Sequence, residues 1–342
     1  MNTFGENFRI TIFGESHSRF IGITVDGCPV GIAVSEQDFS ADLERRKPLQ
    51  IGTTERKEVD IPQIVSGVFN SQTTGTAITI LFENKDVKSE DYFAEMIRPS
   101  HSDFVAKQKY FGCNDFRGSG MFSGRMTVGI VAAGVIAKKI ISEIKIETSI
   151  ISIGGVKNTS LQNQISDEIL QLVEKTSSDG NSLGGVIECT VKNVHSGLGE
   201  PFFNSLESMI SHSIFSIAGV KGIEFGAGFS IAEMKGSEAN DCFTNEFGKT
   251  KTNNSGGINA GISNGNDIVF RVAIRPTPTI KMEQETYNFA TRRIEKSKIS
   301  GRNDVCFALR MPVIIEAATA IVLADAKLTN LKYTVYLSHP SS

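Results

Sequence analysis

Two histidines stand in short polar turns where proton transfer could take place. Gly14-Glu15-Ser16-His17-Ser18 follows a strand-like run, and Arg98-Pro99-Ser100-His101-Ser102-Asp103 sets a histidine between an arginine and an aspartate. Histidine is the side chain whose ordinary pKa lies near neutrality, so either residue suits proton transfer to a departing oxyanion. A turn histidine bonded to backbone is the structural alternative. The first motif is no nucleophile elbow, because G-x-S-x-G fails at Ser18. Arg45-Arg46-Lys47-Pro48 is either a solvated helix end or, facing a pocket, a fork for carboxylate and phosphate. Arg117-Gly118-Ser119-Gly120-Met121-Phe122-Ser123-Gly124-Arg125 runs into a helical stretch and has the makings of a phosphate cradle: glycines, hydroxyls and the free N–H groups of a helix start. It is neither the dinucleotide fingerprint nor a Walker A loop. The glycine-rich run from Ser255 to Gly265, with Arg275-Pro276-Thr277-Pro278-Thr279 beyond it, could line a flat ligand or form a hairpin that only packs. Gly301-Arg302-Asn303-Asp304 adds an arginine and an aspartate before the last helical stretch.

These segments need a scaffold, and apolar periodicity supplies one. Alternation predicts strands at Phe8–Phe13, Ile21–Val25, Ile64–Phe69, Thr76–Phe82, Gly185–Lys192 and Ile268–Ile274. Helices are expected at Gln37–Arg46, Gly124–Glu143, Ser205–Ile217 and Met311–Leu328. Two of these are rich in small residues, among them Gly129, Ala132, Ala133, Gly134 and Ala317, Ala318, Ala320. Interior helix glycines cost about 1 kcal/mol each against alanine, so their presence points to close backbone packing. Ser237–Ser255 is polar and reads as an excursion. Strands and helices are interspersed, which is the pattern of one mixed α/β-containing domain over residues 1–342.

Composition narrows the function class. The net charge is −3 over 342 residues, so no global basic field points to nucleic acid. Anions must be met by local arginines and backbone N–H groups. The five cysteines include no C-x-x-C pair, which argues against a zinc ribbon or a disulfide scaffold, and no metal is expected. The apolar run Met126–Ala137 falls short of the ~20 residues of a membrane span. A cytoplasmic protein with no membrane partner is the expectation.

The order of the motifs is more specific than any one of them. GESH (14–17), RRKP (45–48), RPSHSD (98–103), FRGSGMFSGR (116–125), HSGLGEP (195–201), SGGINAGISNG (255–265), RPTPT (275–279) and GRNDVC (301–306) succeed one another across the chain. In this the sequence resembles the chorismate synthases over essentially its whole length. The resemblance implies an α+β fold, a single large β-α-β sandwich domain, a homotetramer, and reduced FMN as cofactor. It implies an anti 1,4-elimination that takes 5-enolpyruvylshikimate 3-phosphate to chorismate and phosphate without net redox change. Carried over by position, His17 matches the proton donor to the departing phosphate, with Ser16 orienting the substrate. His101 matches the histidine at the edge of the reduced flavin, and Asp304 the aspartate that moves a proton. Arg46, Arg125 and Arg302 match arginines that hold phosphate and carboxylates. Met121, Phe122, Ser123, Ala260, Arg275, Pro276, Thr277, Pro278, Thr279 and Arg302 match flavin-contacting positions.

The chain also departs from the family pattern. Where the family has RRRPGQSR this chain reads RRKPLQIG (45–52), with Gly52 in place of the last arginine, and GGGRSSAR has lost an arginine at Met121. GRHDPC has become GRNDVC, with Asn303 beside the aspartate. Lys47, Arg56, Lys57 and Arg19 are the basic residues available to make up the missing charge. Two rival readings follow: a flavin-binding relative that has lost the elimination, and a self-sufficient reductase that uses NADPH. The lack of a dinucleotide fingerprint favours an external source of reduced flavin over the latter.

Overall fold

Period-two burial builds the first sheet. In the computed structural model, which describes residues 2–48, 51–54, 56, 58–87, 97–160, 164–298 and 303–337, Ile21, Ile23 and Val25 are buried along one strand and Ile78, Ile80 and Phe82 along another. The first half runs β1 (Thr3–Phe4), β2 (Arg9–Gly14), β3 (Phe20–Asp26), α1 (Ser40–Arg46), β4 (Gln63–Ser66), a hairpin of β5 (Val68–Phe69) and β6 (Gln72–Thr73), β7 (Ile78–Glu83), α2 (Asp103–Lys109) and α3 (Thr127–Ile140). The second half continues with β8 (Lys145–Ile153), β9 (Val156–Lys157), α4 (Asp167–Ser178), β10 (Gly185–Lys192), α5 (Leu206–Phe215), β11 (Val220–Phe225) and α6 (Gly236–Ala239). It closes with a hairpin of β12 (Ile258–Asn259) and β13 (Ile262–Ser263), β14 (Ile268–Ile274), a hairpin of β15 (Gln284–Asn288) and β16 (Arg293–Ser297), and α7 (Pro312–Leu337).

Each half contributes one five-stranded antiparallel sheet, in the orders β1-β2-β3-β7-β4 and β11-β14-β10-β8-β9. Helix α3 covers β3 and its neighbours, α7 covers β8 and β10, and the two helices pack on each other. The layers are therefore sheet, helices, sheet, as the resemblance implied. A helix buried on all sides must be apolar on all sides; in α3 only Lys138 and Lys139 escape burial.

The small residues set the spacing of these layers. A Cβ added at Gly134 would lie 2.4 Å from Ala317 Cβ and 2.6 Å from Ala317 Cα, so α3 and α7 meet backbone to backbone. That contact offsets the helix-propensity cost of the glycine. At the other end, Asp325 of α7 accepts the N–H groups of Asn7 (2.6 Å) and Phe8 (2.7 Å), which fastens the entry to β2 onto the last helix.

Most predicted elements form with shifted ends. The helix expected from Gly124 begins as a 3-10 turn, Gly124–Met126, before α3. The strand expected over Ile64–Phe69 breaks at Gly67, whose positive φ and close approach to Ile78 Cα (2.6 Å for an added Cβ) end β4. The excursion Ser237–Ser255 is held by Asp241, which accepts the N–H groups of Asn254 (2.7 Å) and Ser255 (2.8 Å). Among the described residues no helix is long and apolar enough to cross a membrane.

Candidate active site

A cavity of about 570 Å³ opens between the two sheets' loop ends, within the ~300–1,000 Å³ range of small-molecule sites. Ser16, His17, Arg46, His101, Phe122, Ser123, Arg125, the turn Arg275 to Thr279 and Asp304 all line it. Met121 and Ala260 do not. Met121 turns outward, where Tyr110 Oη reaches its sulfur at 3.8 Å, and Ala260 sits at the tip of the β12–β13 hairpin. The glycine-rich run around that hairpin packs instead on the 199–206 segment, with Leu206 N–H donating to the Gly261 carbonyl (2.9 Å). Arg302 lies outside the described residues.

The His17 turn follows from the end of β2. Ser16 N–H donates to the Gly120 carbonyl (3.1 Å), which docks the turn on the 117–122 loop. Gly118 there has φ +54, and a Cβ on it would fall 2.5 Å from His17 Cδ2 and Nε2 and 2.7 Å from Ser16 Oγ. Only glycine lets that loop run against the histidine. Asn84 clamps the turn from the other side, donating to the Ser18 carbonyl (2.7 Å) while its Oδ1 accepts Arg125 Nε (3.0 Å). Ser123 caps the 3-10 turn, accepting Arg125 N–H at 3.3 Å.

At the floor, Asp60 is gripped by Arg46 through one carboxylate oxygen and by Arg125 through the other. All three side chains are almost wholly buried. Burial acts to raise the Asp60 pKa, but the two guanidiniums outweigh it and the group is held below the usual carboxylate range. Burial pushes Arg125 down to about 10; Asp60 resists the shift and Arg46 adds to it. One carboxylate thus faces two cations, and Arg46 Nε, Arg46 Nη1 and Arg125 Nη2 are buried without a hydrogen-bond partner among the described residues. Unpaired buried donors are costly. An anion in the cavity is the partner that chemistry calls for.

The second histidine is set by the turn before α2. His101 Nδ1 lies 2.8 Å from Asp103 Oδ1, and Ser119 Oγ lies 3.3 Å from His101 Nε2. Arg98 holds the same carboxylate through Nε and Nη2, both at 2.7 Å. Burial would raise the Asp103 pKa, yet these hydrogen bonds from Arg98 and His101 depress it strongly. An ionised Asp103 makes Nδ1 the protonated nitrogen and turns Nε2 toward Ser119. Arg275 Nη2 donates to the Ser100 carbonyl (2.7 Å), joining the Arg275–Thr279 turn to this one.

Asp304 is fixed by groups far away in sequence. Its Oδ1 accepts Thr54 N–H at 2.8 Å, and Arg310 Nη1 lies 3.3 Å from both carboxylate oxygens. Arg310 also donates to the Arg46 carbonyl (3.0 Å), and its burial lowers its pKa against the pull of Asp304. The described wall carries eight basic side chains, Arg46, Lys47, Arg56, Arg98, Arg125, Lys221, Arg275 and Arg310, and two acidic ones, Glu58 and Asp304, while Asp60 and Asp103 pair with their arginines from behind it. A chain of net −3 therefore encloses a cationic cavity.

A sequence profile of the family described as chorismate synthase matches residues 8–328. The chain belongs to the chorismate synthase family. It is accordingly an enzyme, a lyase. A curated chorismate synthase from Chitinophaga pinensis is 49% identical over 328 residues, spanning 95% of this chain and 96% of its own length. One from Pyrococcus abyssi is 42% identical over 341 residues, spanning 94% and 96%. A solved structure described as a crystal structure of chorismate synthase superposes with a TM-score of 0.74 at 27% identity, over 98% of this chain and 99% of the other.

Within this chorismate synthase fold several wall residues carried no local signal. Arg310 acts on the wall through Asp304, Asp60 acts from behind it through Arg46 and Arg125, and the 215–221 segment joins the wall only because α5 ends beside it. Of the four basic residues named for the missing cations, Lys47 and Arg56 reach the wall. Arg19 instead stacks on the Phe20 ring at 5.1 Å, and Lys57 lies outside the described residues.

Proposed function

We propose that this cavity carries out the anti 1,4-elimination of phosphate from 5-enolpyruvylshikimate 3-phosphate, giving chorismate. One C–O bond to phosphate and one C–H bond break, a C=C bond forms, and no net oxidation occurs. The observation that carries the proposal is the meeting in one cavity of His17, His101, Asp304 and the partly unpaired guanidiniums of Arg46 and Arg125. Departing phosphate needs its growing charge met by cations and a proton. Arg46 and Arg125 supply the first and the His17 imidazole the second, while Ser16 orients the substrate. Asp304, held between Thr54 N–H and Arg310, is the carboxylate for proton uptake. Arg302 is carried by the resemblance as a further substrate arginine.

Reduced FMN, when bound, supplies transient electron density to the substrate. The wall suits such a ring. Phe122, Ser123, the Arg275–Thr279 turn and His101 all line the cavity, and Thr277 Oγ1 is buried without a hydrogen-bond partner among the described residues. Met121 and Ala260, outside the cavity of the single chain, rest on the resemblance alone as flavin contacts. The same resemblance supports a homotetramer in the cytoplasm that takes reduced flavin from an external source. One domain over residues 1–342 is supported by α3 and α7, from the two halves, sharing a layer.

The test is anaerobic incubation with chemically reduced FMN and the substrate, following phosphate release and chorismate absorbance. Stoichiometric phosphate and chorismate are expected. Folded, flavin-loaded protein that turns nothing over would make this chain the flavin-binding relative instead. NADPH oxidation by the purified protein would overturn the external source of reductant.

A further inference from the structure

The family's missing cations leave open what governs Ser16, and the structure points to Arg56. Arg56 Nη1 donates to Ser16 Oγ at 2.9 Å and Nη2 to the Ser16 carbonyl at 3.1 Å. The other edge of the guanidinium is anchored, with Nε 3.2 Å and Nη2 2.8 Å from Glu58 Oε1. Glu58 is itself fixed by the N–H groups of Lys85 (3.1 Å) and Asp86 (3.2 Å) after β7. Lys47, the other basic candidate on the wall, has its ammonium paired with Glu44 at 2.6 Å and makes no such link.

The chemistry of a hydroxyl gives this arrangement a consequence. Serine has one O–H donor and two acceptor lone pairs. Once Nη1 occupies a lone pair, the Ser16 proton is released for another acceptor. Ser16 lines the cavity beside His17 and Arg56 Nη1 is the hydroxyl's partner among the described residues, which leaves the proton available to an anionic oxygen of a ligand in the cavity. A planar fork reaches the hydroxyl, the carbonyl and Glu58 together; a lysine ammonium does not have this geometry.

We propose that Arg56, held by Glu58, is a positioning residue that fixes Ser16 as a hydrogen-bond donor to the substrate. This rests on the elimination proposed above. The test is a double-mutant cycle of Arg56→Gln and Ser16→Ala, with Arg56→Lys alongside, measuring kcat, KM and calorimetric binding of 5-enolpyruvylshikimate 3-phosphate to flavin-free protein. Each single variant is expected to weaken binding roughly ten- to hundredfold, the scale of a hydrogen bond to a charged group. The double variant should be no weaker than Ser16→Ala alone, and lysine should not rescue. Losses that add in the double variant, or full rescue by lysine, would overturn the proposal. Thermal unfolding identifies a variant that fails to fold; Glu58→Gln then takes its place in the cycle with the same expectation. If the parent binds substrate without turning it over, the elimination fails while the binding cycle still decides the role of Arg56.

Discussion

Replacing Asp60 by asparagine isolates the charge at the cavity floor. Asp60 has φ +53, a backbone region that asparagine adopts as readily as aspartate, so shape and backbone are kept while one negative charge is removed. Arg46 and Arg125 then share a site where their side chains are 3% and 4% exposed, with no carboxylate between them. Leaving a buried charge uncompensated costs about 3–5 kcal/mol. The asparagine oxygen still accepts one hydrogen bond, which places the expected loss near the lower end, ~3 kcal/mol. At about 2–4 °C per kcal/mol for a large domain, that is a fall in Tm of roughly 6–12 °C. The unpaired guanidinium nitrogens also predict how the loss is relieved. An anion that binds only the folded state returns about 2.7 kcal/mol at a hundred times its Kd, and the variant should bind it more tightly than the parent. The assay is thermal unfolding at low ionic strength with a titration of inorganic phosphate. An unchanged Tm would refute the account, as would a phosphate response no larger than that of the parent.

Three other outcomes follow from the same geometry. His17→Ala should lower turnover by roughly 10²–10⁴-fold while substrate binding by calorimetry persists; near-normal turnover would remove His17 as proton donor. Gly118→Ala puts a methyl group 2.5 Å from the His17 ring at φ +54, and a displaced catalytic group of this kind costs on the order of 10²-fold in rate. Unchanged steady-state kinetics would show that the loop yields without moving the histidine. Asp60 and Asp103 both titrate below the ordinary carboxylate value. Their stabilisation is complete above the unfolded pKa of about 3.9 and is lost as pH falls from there toward the depressed folded values. Urea unfolding should therefore give similar stability from these groups at pH 7 and pH 5 and a clear decline by pH 3. Equal stability at pH 3 and pH 5 would contradict the pairing.

Much of the architecture was legible in local pattern. Ile268–Ile274 and Gly185–Lys192 form the strands their alternation predicts, because side chains on a strand divide between two faces. The small residues of α3 and α7 announced close packing, and Gly134 against Ala317 is that packing. The family was readable too, since eight short motifs in fixed order are improbable by chance. The element ends shifted where a cap or a close approach decided them, as at Ser123 and Gly67.

The charges that make the cavity work were decided by tertiary structure alone. Asp304 is held by Thr54, 250 residues away, and Arg125 meets Asp60 across 65 residues. Arg56 and Glu58 look locally like an ordinary surface ion pair, yet the fold turns them onto Ser16. Periodicity records which face of an element is apolar, so it determines layers. It holds no record of which distant carboxylate neutralises a given arginine. That pairing depends on where the folded layers bring two loop ends, and through burial it decides which guanidinium nitrogens remain for an anion.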